Sequence, residues 1–472
     1  MATTAAPVTA KPRFRRVLRR LDMTLFTVCA ILIVDQLAAS ASIGVQSIFW
    51  WVFTLLLFFI PYGLITSEVG SAYPEEGGIY AWVRRAFGQR WAGRTAWLWW
   101  VNVAFWMPSV YILFAGLLAE LVAPDMSLGT KLLVTLGLTW LTDGISIVTL
   151  DVGKWVPNLG AIFKAVIMLA IGFGGIAYAA RHGVSNEFSL KTLSPSWGDS
   201  LAFLPVIVYN FLGFELMSGA GEEMENPARD VPRAIITSGL FIASFYILAT
   251  LGMLLALPVE EIGLIEGLPD TFGRLFGDGP AGSTIVAILI VMALYTFVAN
   301  MVTWTIGANR SAAEAAQRGD LPAIFSKMHR RFQTPVSAAI LTGVIASAVL
   351  ILYAMLASSA EDLFWTIFAF SSVVFLLPYF LLFLSFLRLR RIDPDTPRPY
   401  RVPGRHGAAA ALSGMCMLFI AQAVVFFIYK PGAFDASYAL AVGGGTLLTV
   451  LAGEIMIRVG KGPAAEEREN NG

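Results

Sequence analysis

The chain has 472 residues, 57% of them hydrophobic and only 14% charged, with a net charge of +1. Those proportions leave no wettable surface for a soluble domain of this size, and no basic excess for nucleic-acid binding. The bilayer is the expected solvent.

Residues 1–22 form a basic segment with Lys11, Arg13, Arg15, Arg16, Arg19 and Arg20. It has the charge of a signal peptide, but no convincing cleavage site follows and eleven further apolar runs do. A hydrocarbon core about 30 Å thick takes roughly 20 helical residues. Runs of that length lie near 23–45, 48–69, 95–122, 131–149, 156–180, 200–222, 233–256, 283–308, 336–356, 363–387, 408–429 and 436–457. They are continuously apolar rather than alternating, which predicts twelve helices and not a barrel. Soluble parts reduce to an outer loop around 258–282, inner loops around 222–233, 310–335 and 388–407, and a polar tail over 458–472. All but five of the 33 Lys and Arg fall inside when the amino terminus is cytoplasmic; Lys131, Arg181, Lys191, Arg274 and Lys430 are the outer ones. The positive-inside rule thus places both termini in the cytoplasm, with the plasma (inner) membrane as the expected location.

The first and sixth runs are interrupted. Asp35 and Gln36 break the first, followed by Ala38, Ala39, Ser40 and small residues through Gly44; Asn210, Gly213, Glu215, Ser218, Gly219 and Gly221 break the sixth. Unwound backbone in a membrane persists only where it lines a watered or ligand-filled cavity. Two breaks five spans apart predict a binding site between inverted repeats, residues 23–180 and 200–387, with peripheral helices over 408–457. The fold class is therefore all-α integral membrane, a five-plus-five inverted repeat with discontinuous first and sixth helices plus two more. Continuous helices with small residues used for close packing are the alternative.

A broken helix offers free N–H groups at one end and free carbonyls at the other. A substrate carboxylate is expected on the N–H groups near 38–42 and 212–214, and its ammonium at the carbonyls of 32–34 and 208–211. Glu215 and Asp35 are ionisable groups at mid-depth, which need a partner, a proton or a cation. Lys164 in the fifth span either snorkels to the interface or takes the place of a coupling cation. Asp143 in the fourth span is read as a polar group between helices. Tyr209, Phe211 and Phe214 flank the sixth break as candidate ligand aromatics, since a ring face attracts an ammonium. Asn300 and Trp304 on the eighth span join the substrate set, and Asn102 and Trp106 on the third are assigned to a gate; core packing is the alternative for each.

Several stretches carry a family resemblance. GFELMSGAGEEMENPARDVPRAI (213–235), PEEGGIYAWVRRAFG (74–88), WTIGANRSAAEAAQRGDLP (304–322) and RPYRVPG (398–404) occur in order along most of the chain. Together they resemble the amino acid, polyamine and organocation (APC) transporter superfamily, and FIPYGLITSEVGS with EEGGIYAWV looks most like its bacterial glutamate/GABA antiporter branch. That branch's long carboxy-terminal plug has no counterpart here, and the Gly-Ser-Gly type turn common at the first break is replaced by Ala and Ser. The resemblance implies amino acid transport by alternating access, as proton symport or exchange, with a cationic amine or polyamine carrier as the alternative and a channel more remotely. It also links Glu215 to amine recognition or proton coupling, Lys164 to coupling, and Trp304 with Asn300 to a gate. Protons are possible partners, and oligomeric state stays open. No cofactor, metal or enzymatic activity is expected: His182, His329 and His406 are scattered, GFGGIA and GGGT match no nucleotide loop, and Cys29 and Cys416 both lie in spans.

Overall fold

With no water at mid-membrane, each segment bonds its own backbone, and apolar runs of this kind fold as helices. The computed structural model describes residues 20–74, 77–148, 155–195, 204–218, 226–263, 267–277, 279–355, 360–429 and 434–460, with the backbone alone at Asp35, Met217, Ser218, Pro227, Tyr353 and 360–362. The basic segment before Arg20, Gly219, Gly221, Lys430, the polar tail after Gly460 and the side chain of Asp35 lie outside the described residues.

The helices are α1 Arg20–Ile31, α2 Leu37–Ala41, α3 Ser47–Ala72, α4 Ile79–Phe87, α5 Gln89–Val122, α6 Leu128–Ile147, α7 Trp155–His182, α8 Leu204–Asn210 and α9 Phe214–Ser218. They continue as α10 Pro227–Ala256, α11 Gly267–Phe276, α12 Gly279–Gln317, α13 Val336–Ala354, α14 Ala360–Ile392, α15 His406–Ile428 and α16 Ala436–Gly460. Among the described residues eight, namely α3, α5, α7, α10, α12, α14, α15 and α16, are long and apolar enough to cross a membrane.

Several helices outrun their apolar cores. The third span begins at Gln89 rather than 95, the eighth runs to Gln317 rather than 308, and the tenth to Ile392 rather than 387. A helix needs no lipid once it leaves the bilayer, and Glu314 with Arg318 at 2.6 Å adds a one-turn ion pair there. Pro61 cannot donate to the preceding turn, and α3 passes through a π turn at Leu55–Phe59 just before it.

α5 and α14 pack together at the centre, α10 packs on α7, and α15 and α16 are the least buried of the eight long apolar helices. At one face, here called the basic face, the helix ends are tied by charged groups. The Glu68 carboxylate accepts from Arg390 at 2.8 and 2.5 Å and from Val402 N–H at 2.7 Å, with Arg398 at 3.3 Å. Asp320 accepts from the Tyr80 hydroxyl at 2.6 Å and Arg84 at 2.9 Å, and Arg94 pairs with Glu454. Three of the sequence stretches singled out above therefore converge on this face.

Candidate functional site

Both expected interruptions are present, and each has a local cause. α1 ends at Ile31, Ile33 is extended, a 3-10 turn covers Val34–Gln36, and α2 resumes at Leu37. α8 ends at Asn210 and α9 begins at Phe214, with Gly213 at φ +127°, a conformation open to glycine but strained for other residues. A Cβ on Gly213 would also lie 3.0 Å from Ile31 and 3.2 Å from Trp304, so the two breaks touch. The Asn210 amide donates to Ser40 Oγ at 3.2 Å, and Ser40 donates to Gln36 O at 3.0 Å.

The orphan groups of the breaks meet side chains. At the first break, Cys29 O accepts from Lys164 Nζ at 2.6 Å, Ala30 O from Trp304 Nε1 at 3.0 Å, and Ile31 O from Tyr246 OH at 2.7 Å. The Ile33 N–H donates to that same Tyr246 oxygen at 2.7 Å. At the sixth break, Gly213 and Phe214 N–H donate to the Tyr62 oxygen at 3.1 and 2.9 Å. The sequence reserves those two donors for a substrate carboxylate; the tyrosine from α3 occupies them. Likewise the Val208 and Tyr209 carbonyls, expected to face an ammonium, accept from Phe211 and Leu212 N–H at 3.2 and 3.0 Å. One turn of each helix end is thus closed locally.

Glu215 is 1% exposed. Its carboxylate accepts hydrogen bonds from the Tyr62 hydroxyl and, at 2.6 Å, from Tyr379 of α14. Among the described residues no Lys or Arg pairs with it. Lys164 is also 1% exposed, which rules out snorkelling; its ammonium reaches both the end of α1 and Asn300 Oδ1 at 2.9 Å. A cation there complements the carbonyl end of α1.

The expected aromatics separate into two groups. Tyr209 meets Trp106, Phe368 and Phe375, and Trp304 meets Trp99, Trp106 and Phe375, with ring centroids 5.1–5.9 Å apart. Tyr379 closes this group, 5.1 Å from Phe375. Phe211 and Phe214 instead stack on Phe59 at 4.2 and 4.8 Å, in a second cluster with Trp51 and Tyr62 that meets the first where Tyr62 packs on Tyr379 at 5.9 Å. Those two fix α3 to the sixth break rather than facing the first aromatic group. Asn102 and Trp106, one turn apart on α5, are buried, and neither the Asn102 amide nor Trp106 Nε1 has a hydrogen-bond partner among the described residues. Ala38 and Ala39 are buried on α2, with Ala38 against Gly267. Asp143 is buried beside Gly343, away from this site.

Sequence reasoning missed Tyr62, Tyr379, Tyr246 and Trp99. Two of them carry a readable signal: Pro61-Tyr62 and Pro378-Tyr379 are proline-tyrosine steps inside otherwise apolar helices, where a proline loosens the backbone and the hydroxyl needs a partner.

A multi-pass helical membrane protein, with two interrupted helices meeting at a buried carboxylate and an aromatic cluster, is a permease by architecture. A family model described as amino acid permease matches residues 18–451. The chain belongs to that family, within the APC superfamily of transporters. It is 35% identical over 439 residues to a probable agmatine/putrescine antiporter of Lactococcus lactis, covering 92% of this chain and 93% of the relative. It is 26% identical to a probable polyamine transporter of Arabidopsis thaliana, over 73% of this chain and 65% of that one. A glutamate/gamma-aminobutyrate antiporter of Lactococcus lactis is 20% identical, over 86% of this chain and 82% of the relative.

Proposed function

We propose that the chain is a secondary active transporter that carries small cationic amines by alternating access, with Glu215 as the amine ligand and proton site. The carrying observation is the Tyr62 hydroxyl on both free N–H groups of the sixth break. A carboxylate arriving there would find its donors occupied and Glu215 beside it, whereas an ammonium would find an acceptor and a wall of rings. The similarity to a probable agmatine/putrescine antiporter supports the same choice. Exchange is the favoured mode on that similarity.

In this reading twelve crossings form two inverted five-helix repeats, residues 23–180 and 200–387, with α15 and α16 outside them. The basic face is cytoplasmic, as are both termini, in the plasma membrane. Trp304 and Asn300 belong to the substrate site, Asn102 and Trp106 to a gate, and Lys164 holds the place of a coupling cation. Ala38, Ala39 and Ser40 on α2 border the ligand from the first break. Amino acid transport is the second reading, supported by the similarity to a glutamate/gamma-aminobutyrate antiporter.

Counterflow in proteoliposomes, with putrescine and agmatine set against ornithine, arginine, glutamate and 4-aminobutyrate, separates the two. Putrescine and agmatine should exchange and the amino acids should not compete. Truncating one partner of a buried charge pair costs about 2–5 kcal/mol, so Glu215→Gln should weaken amine binding by roughly 30-fold or more. It should also flatten the pH dependence of uptake. Unchanged amine uptake in this variant across about pH 5 to 8 refutes the role given to Glu215.

A further inference from the structure

Two of the sequence stretches, 74–88 and 304–322, meet directly beside Glu215. A small pocket lined by Glu215, Ser311, Gly77, Gly78 and Gly307, among others, leaves about 10 Å³ to the centre of a water-sized sphere. That is about the room one water needs, and a water needs two to four polar partners. Glu215 supplies one. Ser311 supplies another: it is 4% exposed, and its hydroxyl has no partner among the described residues. Gly77 at φ +99° and Gly78 at φ +51° turn the chain with no side chain to cover their peptide groups. A Cβ at Gly77 would sit 2.9 Å from Tyr80, and one at Gly307 would sit 2.4 Å from Leu216. Glycines at these places keep the pocket's walls to backbone and small atoms.

This turn leads straight into α4, which Tyr80 and Arg84 fasten to Asp320. The Gly77–Gly78 backbone therefore stands between Glu215 and the basic face. We infer that Ser311 and the Gly77–Gly78 turn hold a water that carries the proton between Glu215 and the cytoplasm. The inference rests on the proton role proposed for Glu215. The Glu215 carboxylic acid gives its O–H proton to the water, which releases a proton onward; the carboxylate left behind accepts from Tyr62 and Tyr379. Among the described residues, the charged and titratable groups around this path are those two tyrosines from α3 and α14, Tyr80 and Arg84 of α4, and Asp320. On α12 they are Glu314 and Arg318, which pair with each other.

The test uses the full-length protein in lipid and needs no substrate. The infrared carbonyl stretch of protonated Glu215, identified by its loss in Glu215→Gln, is followed after transfer into heavy water. Ser311→Ala should slow its hydrogen–deuterium exchange about tenfold, the effect of losing one hydrogen bond to the carrying water, and Ser311→Thr should restore the wild-type rate. Equal rates in Ser311→Ala and wild type, or no band that Glu215→Gln removes, overturn the inference. Putrescine counterflow measured on the same preparations answers separately whether the amine reading holds.

Discussion

Glu68→Gln tests the tie at the basic face. Glu68 is 1% exposed and its two oxygens take Arg390 Nε and Nη2, Arg398 Nε, and the Val402 N–H. A glutamine retains one oxygen, enough for the Val402 N–H, and turns its NH2 hydrogens toward guanidinium groups that also only donate. The charge is lost with two arginine side chains just 6% and 9% exposed. Leaving a buried ion without its partner costs about 3–5 kcal/mol. Arg398 also donates to the Leu389 and Asp393 carbonyls at 3.1 and 2.8 Å, which places the expected loss at the lower end, about 3 kcal/mol. For a chain of this size that corresponds to a fall of roughly 3 °C in midpoint by thermal unfolding in detergent. Arg390→Met alone should also destabilise, and Glu68→Gln with Arg390→Met should lose less than the two single changes combined. A Glu68→Gln protein that melts with the wild type refutes the account.

Two further outcomes follow from the geometry. Gly213→Ala places a side chain at φ +127°, 3.0 Å from Ile31, and should cost about 1–3 kcal/mol in stability, with amine counterflow falling further than the melting temperature; wild-type counterflow would show that the two breaks need not touch. Asp393 is held below the usual carboxylate range chiefly by the Thr396 hydroxyl, against the opposing effect of burial, with Tyr73, Arg85 and Arg398 adding to the lowering. Its lowered pKa stabilises the folded state above the ordinary aspartate pKa of about 3.9 and the benefit fades as pH falls through the folded value. Asp393→Asn should therefore remove part of the acid-side decline in melting temperature while leaving the neutral-pH slope alone; an identical acid limb in both proteins contradicts that assignment.

What could be read from the sequence follows the physics that dominates each feature. Lipid imposes long continuous apolar runs, so the helices announce themselves by length, and the two breaks by polar and small residues where none are tolerated otherwise. Helix ends were harder to place. Gln89–Arg94 and Arg388–Ile392 are polar or charged, so hydropathy stops where the hydrocarbon does, while backbone hydrogen bonding continues. Which side chain meets which break was not legible at all. Tyr62 and Glu215 are 153 positions apart, and nothing local to either shows that the Tyr62 hydroxyl takes the N–H groups of Gly213 and Phe214. The same limit explains Phe211 and Phe214: proximity in sequence to the sixth break put them beside Tyr209, but both rings stack on Phe59 of α3. Lys164 shows the reverse case, since its position in the run left snorkelling open and only its contacts with Cys29 and Asn300 decide for burial.

The residues missed from the sequence also join the site to the basic face. Tyr62 and Glu68 lie six positions apart on α3, about 9 Å along the helix, and Tyr379 and Arg390 lie eleven apart on α14, about 16 Å. The two helices whose tyrosines hold Glu215 are therefore the two whose ends are tied by Glu68 and Arg390. An ammonium that takes the Glu215 carboxylate competes with the Tyr62 and Tyr379 hydroxyls for its oxygens. Displacing Tyr62 also releases the N–H groups of Gly213 and Phe214, and displacing Tyr379 shifts a side chain directly after Pro378, where α14 lacks a backbone hydrogen bond. Either movement bears on a helix whose far end is clamped. Coupling of this kind needs rigid elements shared by two sites, each with alternative arrangements. α3 and α14 are the elements that the two tyrosines at Glu215 and the buried Glu68–Arg390 ion pair share.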